Sequence, residues 1–400
     1  MLPVSHELAA GEKSARPELA NVFRRYGESY QRTHRLSASE QKVVRAVSVC
    51  RTQELGGHLD RCDACGFERP AYNSCRNRHC PKCQSLAKAQ WLEKQTSELL
   101  PVGYFHLVFT LPHEVNRLIL AHKKIGLSLL FKAVSETLLV KAVSETLLEF
   151  GQRRLHGTVG IIAVLHTWDQ TLKDHFHLHC LVPAGALSID RNRWIAARKN
   201  FLFPVKALSR VFRGKFLALL QHNIARGKID FPSQAINVLR QKNWVVYAKK
   251  PFGSPQTVLD YLGRYTHRVA LSNDRILQVE NGEVTLSYRD RKAGDRKKTM
   301  ALEAQEFIRR FLLHVLPDGF MRIRHFGFLA NRSKKQALAQ CRQLLDLYPA
   351  LPQSPILSAK DLLLKITGLD LTRCPCCHEG AMIAVGDLPA LSISPRVDSS

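Results

Sequence analysis

No apolar run in this 400-residue chain approaches the ~18 residues needed to cross a bilayer as a helix. The opening MLPVSHELAAGEKSARPE also lacks an apolar signal core. Neither a membrane span nor secretion is expected. Acidic residues are scarce: 34 Asp and Glu face 59 Lys and Arg, leaving a net charge of +25. That excess suits a polyanion, and nucleic acid is the default partner. An anionic membrane surface is the rival, but a surface helix would gather its charge on one apolar-backed face. Here the basic residues run from Arg24 to Arg396, which fits a long nucleic-acid track.

What is present points to a mixed fold. The length exceeds one ordinary domain, and 45% hydrophobic content allows a sizeable core. Leu19, Val22, Phe23 and Tyr26 take helical spacing within residues 17–50, and 85–100 read as a connecting helix. YFHLVFT (104–110), GIIAVLHTW (160–168) and HFHLHCLV (175–182) read as strands. Their short connections predict an antiparallel sheet. After Gly253 a helix is expected, capped by Ser254 with Pro255 at its first position. A basic hairpin over 284–301 and a helix over 306–316 follow. The fold class is α+β.

KAVSETLL occurs at 132–139 and again at 141–148. A nine-residue shift is two and a half helical turns, so the second copy would turn its apolar stripe to the opposite side. The repeat is too short to be architectural. It is expected to bulge or extend a peripheral helix and to impair activity.

Eleven cysteines cluster mainly at 62–83 and 374–377. In an intracellular chain such clusters mean metal more often than disulfides, and a reducing cytoplasm is expected. Cys62 with Cys65, and Cys80 with Cys83, form two CxxC pairs. Two such knuckles complete a tetrahedral zinc site, and four thiolates leave no position for catalysis. The expected ion is structural Zn2+. Cys75, His79 and His58 could hold a second ion, substitute for a knuckle cysteine, or do neither. Arg76, Arg78 and Lys82 share the loop and suggest docking on DNA. Cys374 and Cys377 make a second half-site, with Cys376 and His378 nearby. It either pairs with distant ligands or is an unfilled remnant.

HFHLHC carries the most chemistry. On a strand, His175, His177 and His179 share one face, while Phe176, Leu178 and Cys180 share the other. Three imidazoles backed by an apolar face make a metal wall. His177 and His179 can reach one ion, and Gln170, Asp174, His175 and His267 are candidates for a third ligand. In YLGRYTHR, Tyr261 and Tyr265 lie four apart on one helical face. They read either as packing residues or as phenol nucleophiles beside Arg264 and Arg268.

A histidine-hydrophobic-histidine strand followed by a tyrosine helix resembles the HUH single-strand endonucleases. The chain is more closely similar to the two-tyrosine rolling-circle transposases of the insertion sequence 91 family. The matching stretches are GHLDRCDACG, SCRNRHCPKCQ, YFHLVFTLPHE, HLHCLVPAGALS, YLGRYTHRVALS and FIRRFLLHVLPDGFMRIRHFGFLANR. They cover most of residues 57–332. Where relatives carry proline before the histidine pair, this chain has Phe176.

The resemblance implies a helical and zinc-binding module over 1–100, an HUH nuclease domain over 101–332 and a basic extension over 333–400. It implies catalytic Mg2+ or Mn2+ on His177 and His179, with Tyr261 and Tyr265 as nucleophiles and Arg264 and Arg268 holding phosphate. The partners implied are single-stranded DNA at transposon ends and target DNA, in a bacterial cytoplasm at the nucleoid. Arg289, Arg291, Lys292, Arg296, Lys297 and Lys298, then Arg322, Arg324, Arg332, Lys334 and Lys335, are dense enough to contact the DNA backbone. Trp168, Trp244 and Tyr288 are candidates for stacking on bases. The alternatives are an HUH replication initiator and a non-catalytic zinc-dependent regulator, which needs neither HFHLHC nor paired tyrosines.

Overall fold

Alternating apolar residues build the centre of the molecule. The computed structural model describes residues 16–143, 157–197, 204–252, 257–258, 263, 270–290, 293–346, 357–368 and 370–391. Strands β3 (Tyr104–Thr110), β5 (Gly160–Trp168), β6 (Asp174–Pro183), β9 (Val245–Phe252) and β13 (Ile323–Gly327) form one five-stranded antiparallel sheet in the order β13-β5-β6-β3-β9. The first three are the strands expected from alternation.

One face of this sheet is apolar throughout. Phe105, Leu107 and Phe109 join Ile161, Ala163 and Leu165, and Phe176, Leu178 and Cys180. Two long helices cover them, Lys123–Val143 and Val205–Ala225, with Phe109 edge-on to Phe212 at 5.3 Å. Each Leu, Ile or Phe among them contributes about 1.5–3 kcal/mol by burial. The opposite face is divided. Ile162, Val164, Leu181 and Tyr104 pack beneath Leu99, Leu100, Val258 and Leu338, while the remainder carries histidines into an open cleft.

The first KAVSETLL copy is not peripheral. Ala133, Val134, Thr137 and Leu138 are buried in the core, and only Lys132 is exposed. The helix continues through Val143; the rest of the second copy lies outside the described residues.

The N-terminal helices, Leu19–Thr33 and Ala38–Ser48, do not stand alone. Ser37 and Glu40 form a capping box on the second. Their apolar faces pack on the meander β10 (Ile276–Glu280), β11 (Glu283–Asp290) and β12 (Arg296–Glu303) and on helix Ala304–Leu313. Phe23 meets Phe311 at 5.6 Å, and Arg25 donates to the carbonyl of Val279 at 2.6 Å.

A third sheet, order β14-β1-β2, joins β1 (Gly57–Cys62) and β2 (Glu68–Tyr72) to β14 (Met382–Leu388). The packing crosses the expected boundaries at residues 100 and 332. Residues 19–50 share a core with 270–315, and the C-terminal strand completes the N-terminal module. A small sheet of β4 (Gly157–Thr158), β7 (Gly185–Ser188) and β8 (Trp194–Ala196) flanks the central one. Among the described residues no helix is long and apolar enough to cross a membrane.

Candidate active site

Sheet register assembles the histidines. His166 of β5 lies directly opposite His177 of β6, and His179 follows two residues along the same face. The three are buried, and their ligand atoms lie within 4.8 Å of one another. His166 is thus the third member that the sequence did not choose. Its signal was available: it is the third residue from the end of GIIAVLHTW, on the face opposite Leu165.

Hydrogen bonds orient two of the rings. Nδ1 of His177 donates to the carbonyl of His175 at 2.9 Å, which leaves Nε2 available to an ion. Nδ1 of His179 is bonded to Nε2 of His106 at 2.9 Å, again leaving Nε2 available. Burial, and then Lys249, push His106 down to about 4, so it is neutral at pH 7. Sequence reasoning passed over His106, although it sits opposite Phe105 and Leu107 in β3. The set of three imidazoles, two with engaged Nδ1 atoms, fits a divalent metal.

The other expected third ligands fall elsewhere. His175 is exposed at the cleft, its ring 4.7 Å from that of His177. Gln170 lines the cleft, but its side-chain Oε1 accepts from the N–H of Arg289 at 3.5 Å, and its backbone carbonyl accepts from Arg275 at 2.5 Å. Asp174 pairs with Trp168 at the strand end. His267 lies outside the described residues, as do Tyr261, Tyr265, Arg264 and Arg268.

The cleft in front of the histidines has a volume of about 820 Å³. Trp168, Tyr247 and Tyr288 line it, together with Lys249, Arg275 and Arg289. Trp168 stacks on His166 at 4.7 Å, whereas Trp244 is a core residue whose indole donates to Leu239. Arg275 ties the rim together. Its guanidinium donates to the carbonyls of Ser287, Ala270 and Gln170.

Several expected DNA contacts are engaged within the fold. Arg78 donates to the carbonyls of Phe320, Pro317 and Leu316, so it braces that loop. Loss of water, and then the charge of Arg78, pull Arg322 down to about 10. Arg324 stacks over Phe131 at 4.3 Å, and Lys334 pairs with Glu98 at 2.6 Å. Arg76, Arg296 and Lys297 are exposed. Arg289 pairs with Asp295 and Lys298 with Asp290. Arg291 and Lys292 lie outside the described residues.

The cysteines do not form the expected site. Cys62 and Cys65 are separated from Cys80 and Cys83, and each pair joins a different quartet. Cys50, Cys75, Cys80 and Cys83 form one, with Sγ–Sγ contacts of 3.6 and 3.7 Å. Cys62, Cys65, Cys374 and Cys377 form the other, with contacts of 3.7 Å. A tetrahedron with Zn–S bonds of about 2.3 Å has edges of roughly 3.8 Å, so both quartets fit zinc. Cys50 closes its quartet from just beyond the second helix, a position without a CxxC signal. Cys80 caps helix Pro81–Glu98 and Cys83 lies in its first turn, where the helix dipole favours thiolate. Hydrogen bonds from Cys75 and then Cys80 pull the Cys50 thiol below its usual range.

His79 is no ligand. Its Nε2 accepts from the N–H of Leu316, its Nδ1 is bonded to Asn77, and burial pushes it down to about 3. His58 pairs with Asp60 at 3.2 Å.

Comparison with known proteins finds transposases. A family described as "Putative transposase" matches residues 160–337, and one described as "Transposase zinc-binding domain" of the IS91 type matches residues 22–111. The chain is 47% identical over 396 residues to "Putative transposase y4qJ" of Sinorhizobium fredii, covering 95% of this chain and 98% of that protein. It is 26% identical over 356 residues to "Transposase for insertion sequence element IS801" of Pseudomonas savastanoi pv. phaseolicola, covering 84% and 82%. A solved structure titled "Conjugative Relaxase TrwC in complex with mutant OriT Dna" aligns over 61% of this chain and 74% of that one. Its TM-score is 0.26 at 14% identity, too slight a likeness to carry an argument.

Proposed function

The chain belongs to the IS91 family of rolling-circle transposases, and from that premise we propose that it cleaves and rejoins single-stranded DNA at transposon ends through a covalent phosphotyrosine. The observation that carries this reading is the buried His166, His177 and His179 cluster at the wall of a cationic, aromatic-lined cleft.

Tyr261 and Tyr265 are the proposed nucleophiles. The chain that bears them departs from Val258, packed on the histidine-bearing face of the sheet, and returns at Ala270, which lines the cleft. Arg275 fastens Ala270 to the cleft rim. Tyr265 precedes Ala270 by five residues, a tether of at most about 18 Å. Tyrosine Oη attacks the scissile phosphorus, the P–O3′ bond breaks, and a 3′-OH leaves with its proton. The 5′-phosphotyrosine keeps the ester bond, so a 3′-OH can attack it in turn and release the phenol without ATP. Two tyrosines allow one to hold a strand while the other receives the next. Arg264 and Arg268 are proposed to hold the phosphate.

A bound divalent ion would supply Lewis-acid polarisation of the phosphate oxygens. Of the two ions expected, Mn2+ suits three imidazoles better than Mg2+, which prefers oxygen ligands. His106 and the His175 carbonyl orient the ligand rings. Trp168, Tyr247 and Tyr288 offer flat surfaces for unpaired bases, and Lys249 and Arg289 offer charge for the backbone. Cys50, Cys75, Cys80 and Cys83 are proposed to hold structural zinc within the family's zinc-binding domain. Arg76, exposed beside Cys75, is proposed to contact DNA.

Labelled single-stranded DNA carrying a candidate transposon end, incubated with the protein and Mn2+, tests this. A denaturant-resistant protein–DNA adduct is expected, absent from Tyr261→Phe/Tyr265→Phe. No adduct from the unaltered chain, or the same adduct from the double variant, overturns the proposal and favours a non-catalytic regulator.

A further inference from the structure

The zinc-binding family match ends at residue 111, and the quartet of Cys50, Cys75, Cys80 and Cys83 is complete within it. Cys374 and Cys377 lie far beyond that match. We propose that they join Cys62 and Cys65 to hold a second, structural zinc ion, which clasps the C-terminal strand onto the N-terminal module.

Three observations carry this. The first is the donor geometry. Sγ of Cys62 lies 3.7 Å from that of Cys377, and Sγ of Cys65 lies 3.7 Å from that of Cys374. These contacts are far longer than a disulfide of about 2.05 Å and close to a zinc tetrathiolate edge of roughly 3.8 Å. Both CxxC segments also turn backbone N–H groups onto sulfur. Cys65 N–H points at Cys62, Cys376 N–H at Cys374 and Gly380 N–H at Cys377, at 3.5, 3.3 and 3.4 Å. Such bonds stabilise a thiolate.

The second is the fit around the quartet. A Cβ on Gly380 would fall 2.4 Å from Cys62 Sγ and 2.7 Å from Asp63 Oδ1. Asp63 in turn accepts from the N–H of Ala381 at 2.8 Å. The two knuckles thus close on each other with no room for a side chain between them.

The third is the poverty of other support. In β14, residues Ile383 to Asp387 are all exposed, Ile383 at 52% and Val385 at 48%. A small sheet that buries so little is marginal in water. Pairing β14 with β1 also closes a loop spanning 309 residues between Cys65 and Cys374, which opposes it entropically. A tetrathiolate zinc is the kind of bond that holds such an element in place. All four ligands are protein sulfurs, so the site is closed to substrate. The Cys376 thiol is exposed and is not among the four ligands.

Zinc content of the purified full chain tests the clasp. The unaltered chain is expected to carry two zinc ions, and Cys374→Ser/Cys377→Ser one. One zinc in the unaltered chain, or the same content in both, overturns the proposal. Gly380→Ala keeps every thiol but crowds Cys62. Here one of the two ions should pass to a chelator at least ten-fold faster than from the unaltered chain, and unchanged release would count against the clasp. Cys376→Ser should keep two ions; loss of one would overturn the ligand set.

Discussion

The histidine cluster and the cysteine quartets gather metal-binding side chains by different means. His166, His177 and His179 come from two adjacent strands, and register alone sets them side by side. Each cysteine quartet is collected from separated segments, in one case across the whole chain. The first arrangement is a wall of a preformed core: its strands stay in place through Phe109, Leu165 and Leu178 on the reverse face. The Cys50 quartet also borders a packed core, whereas the Cys62 quartet lies where little apolar surface is buried, so the zinc proposed there would supply cohesion. The histidine region is expected to stay folded without its ligands, and the region of the Cys62 quartet is not.

The largest expected effect tests that contrast directly. His177→Ala should lower DNA cleavage by about three orders of magnitude or more, because several kcal/mol of charge stabilisation are lost. Melting temperature and zinc content should hardly change. A large fall in either would mean that the histidine site is also structural.

His106→Leu should act one step further out. Loss of the bond that orients His179 is expected to weaken Mn2+ binding by about 10–100-fold, as other outer-shell changes do. Titration of Mn2+-dependent cleavage measures it. An unchanged Mn2+ requirement would remove His106 from the site.

A third test separates burial from metal binding. His314 is buried and hydrogen-bonded to Thr167 and the carbonyl of Leu172. Burial pushes it down to about 4. Its folded pKa lies below the ordinary value near 6.5, so the unfolded chain takes up the proton first on acidification. Stability is complete above about pH 6.5 and falls as pH drops towards 4. From pH 7 to 5 this one group should remove about 2 kcal/mol. Urea unfolding at the two pH values should show a smaller loss in His314→Gln, whose amide can still donate to Leu172. An equal loss would assign the pH dependence to other groups.

The smallest expected effect concerns the doubled KAVSETLL. Deleting residues 132–140 brings KAVSETLL from 141–148 into the vacated positions. The core contacts of Ala133, Val134 and Leu138 would then be remade by identical residues. The melting temperature should shift by no more than a few degrees. A collapse of folding would mean that the insertion has been absorbed into the packing.

Much of the core was legible because it depends on short-range pattern. YFHLVFT, GIIAVLHTW and HFHLHCLV alternate with period two, and the structure makes them strands with the expected apolar faces. Ser37 with Glu40 and Pro81 after Cys80 mark helix starts in the same local way. Arg78 shows the limit. A loop arginine reads as a DNA contact until the carbonyls of residues 316–320 arrive beneath it.

By itself, the sequence determined the family, the strands of the central sheet, the histidine-bearing face of HFHLHC and the kinship of the CxxC pairs with zinc. These follow from side-chain chemistry and from spacing within a few residues. Only the tertiary structure decided which ligands meet. Strand pairing brought His166 and His106 to the histidine pair. Helix packing delivered Cys50 to Cys80 and Cys83, and the return of β14 to β1 delivered Cys374 and Cys377 to Cys62 and Cys65. A coordination sphere is fixed by distance in space, and residues 315 positions apart can stand 3.7 Å apart once a sheet closes between them.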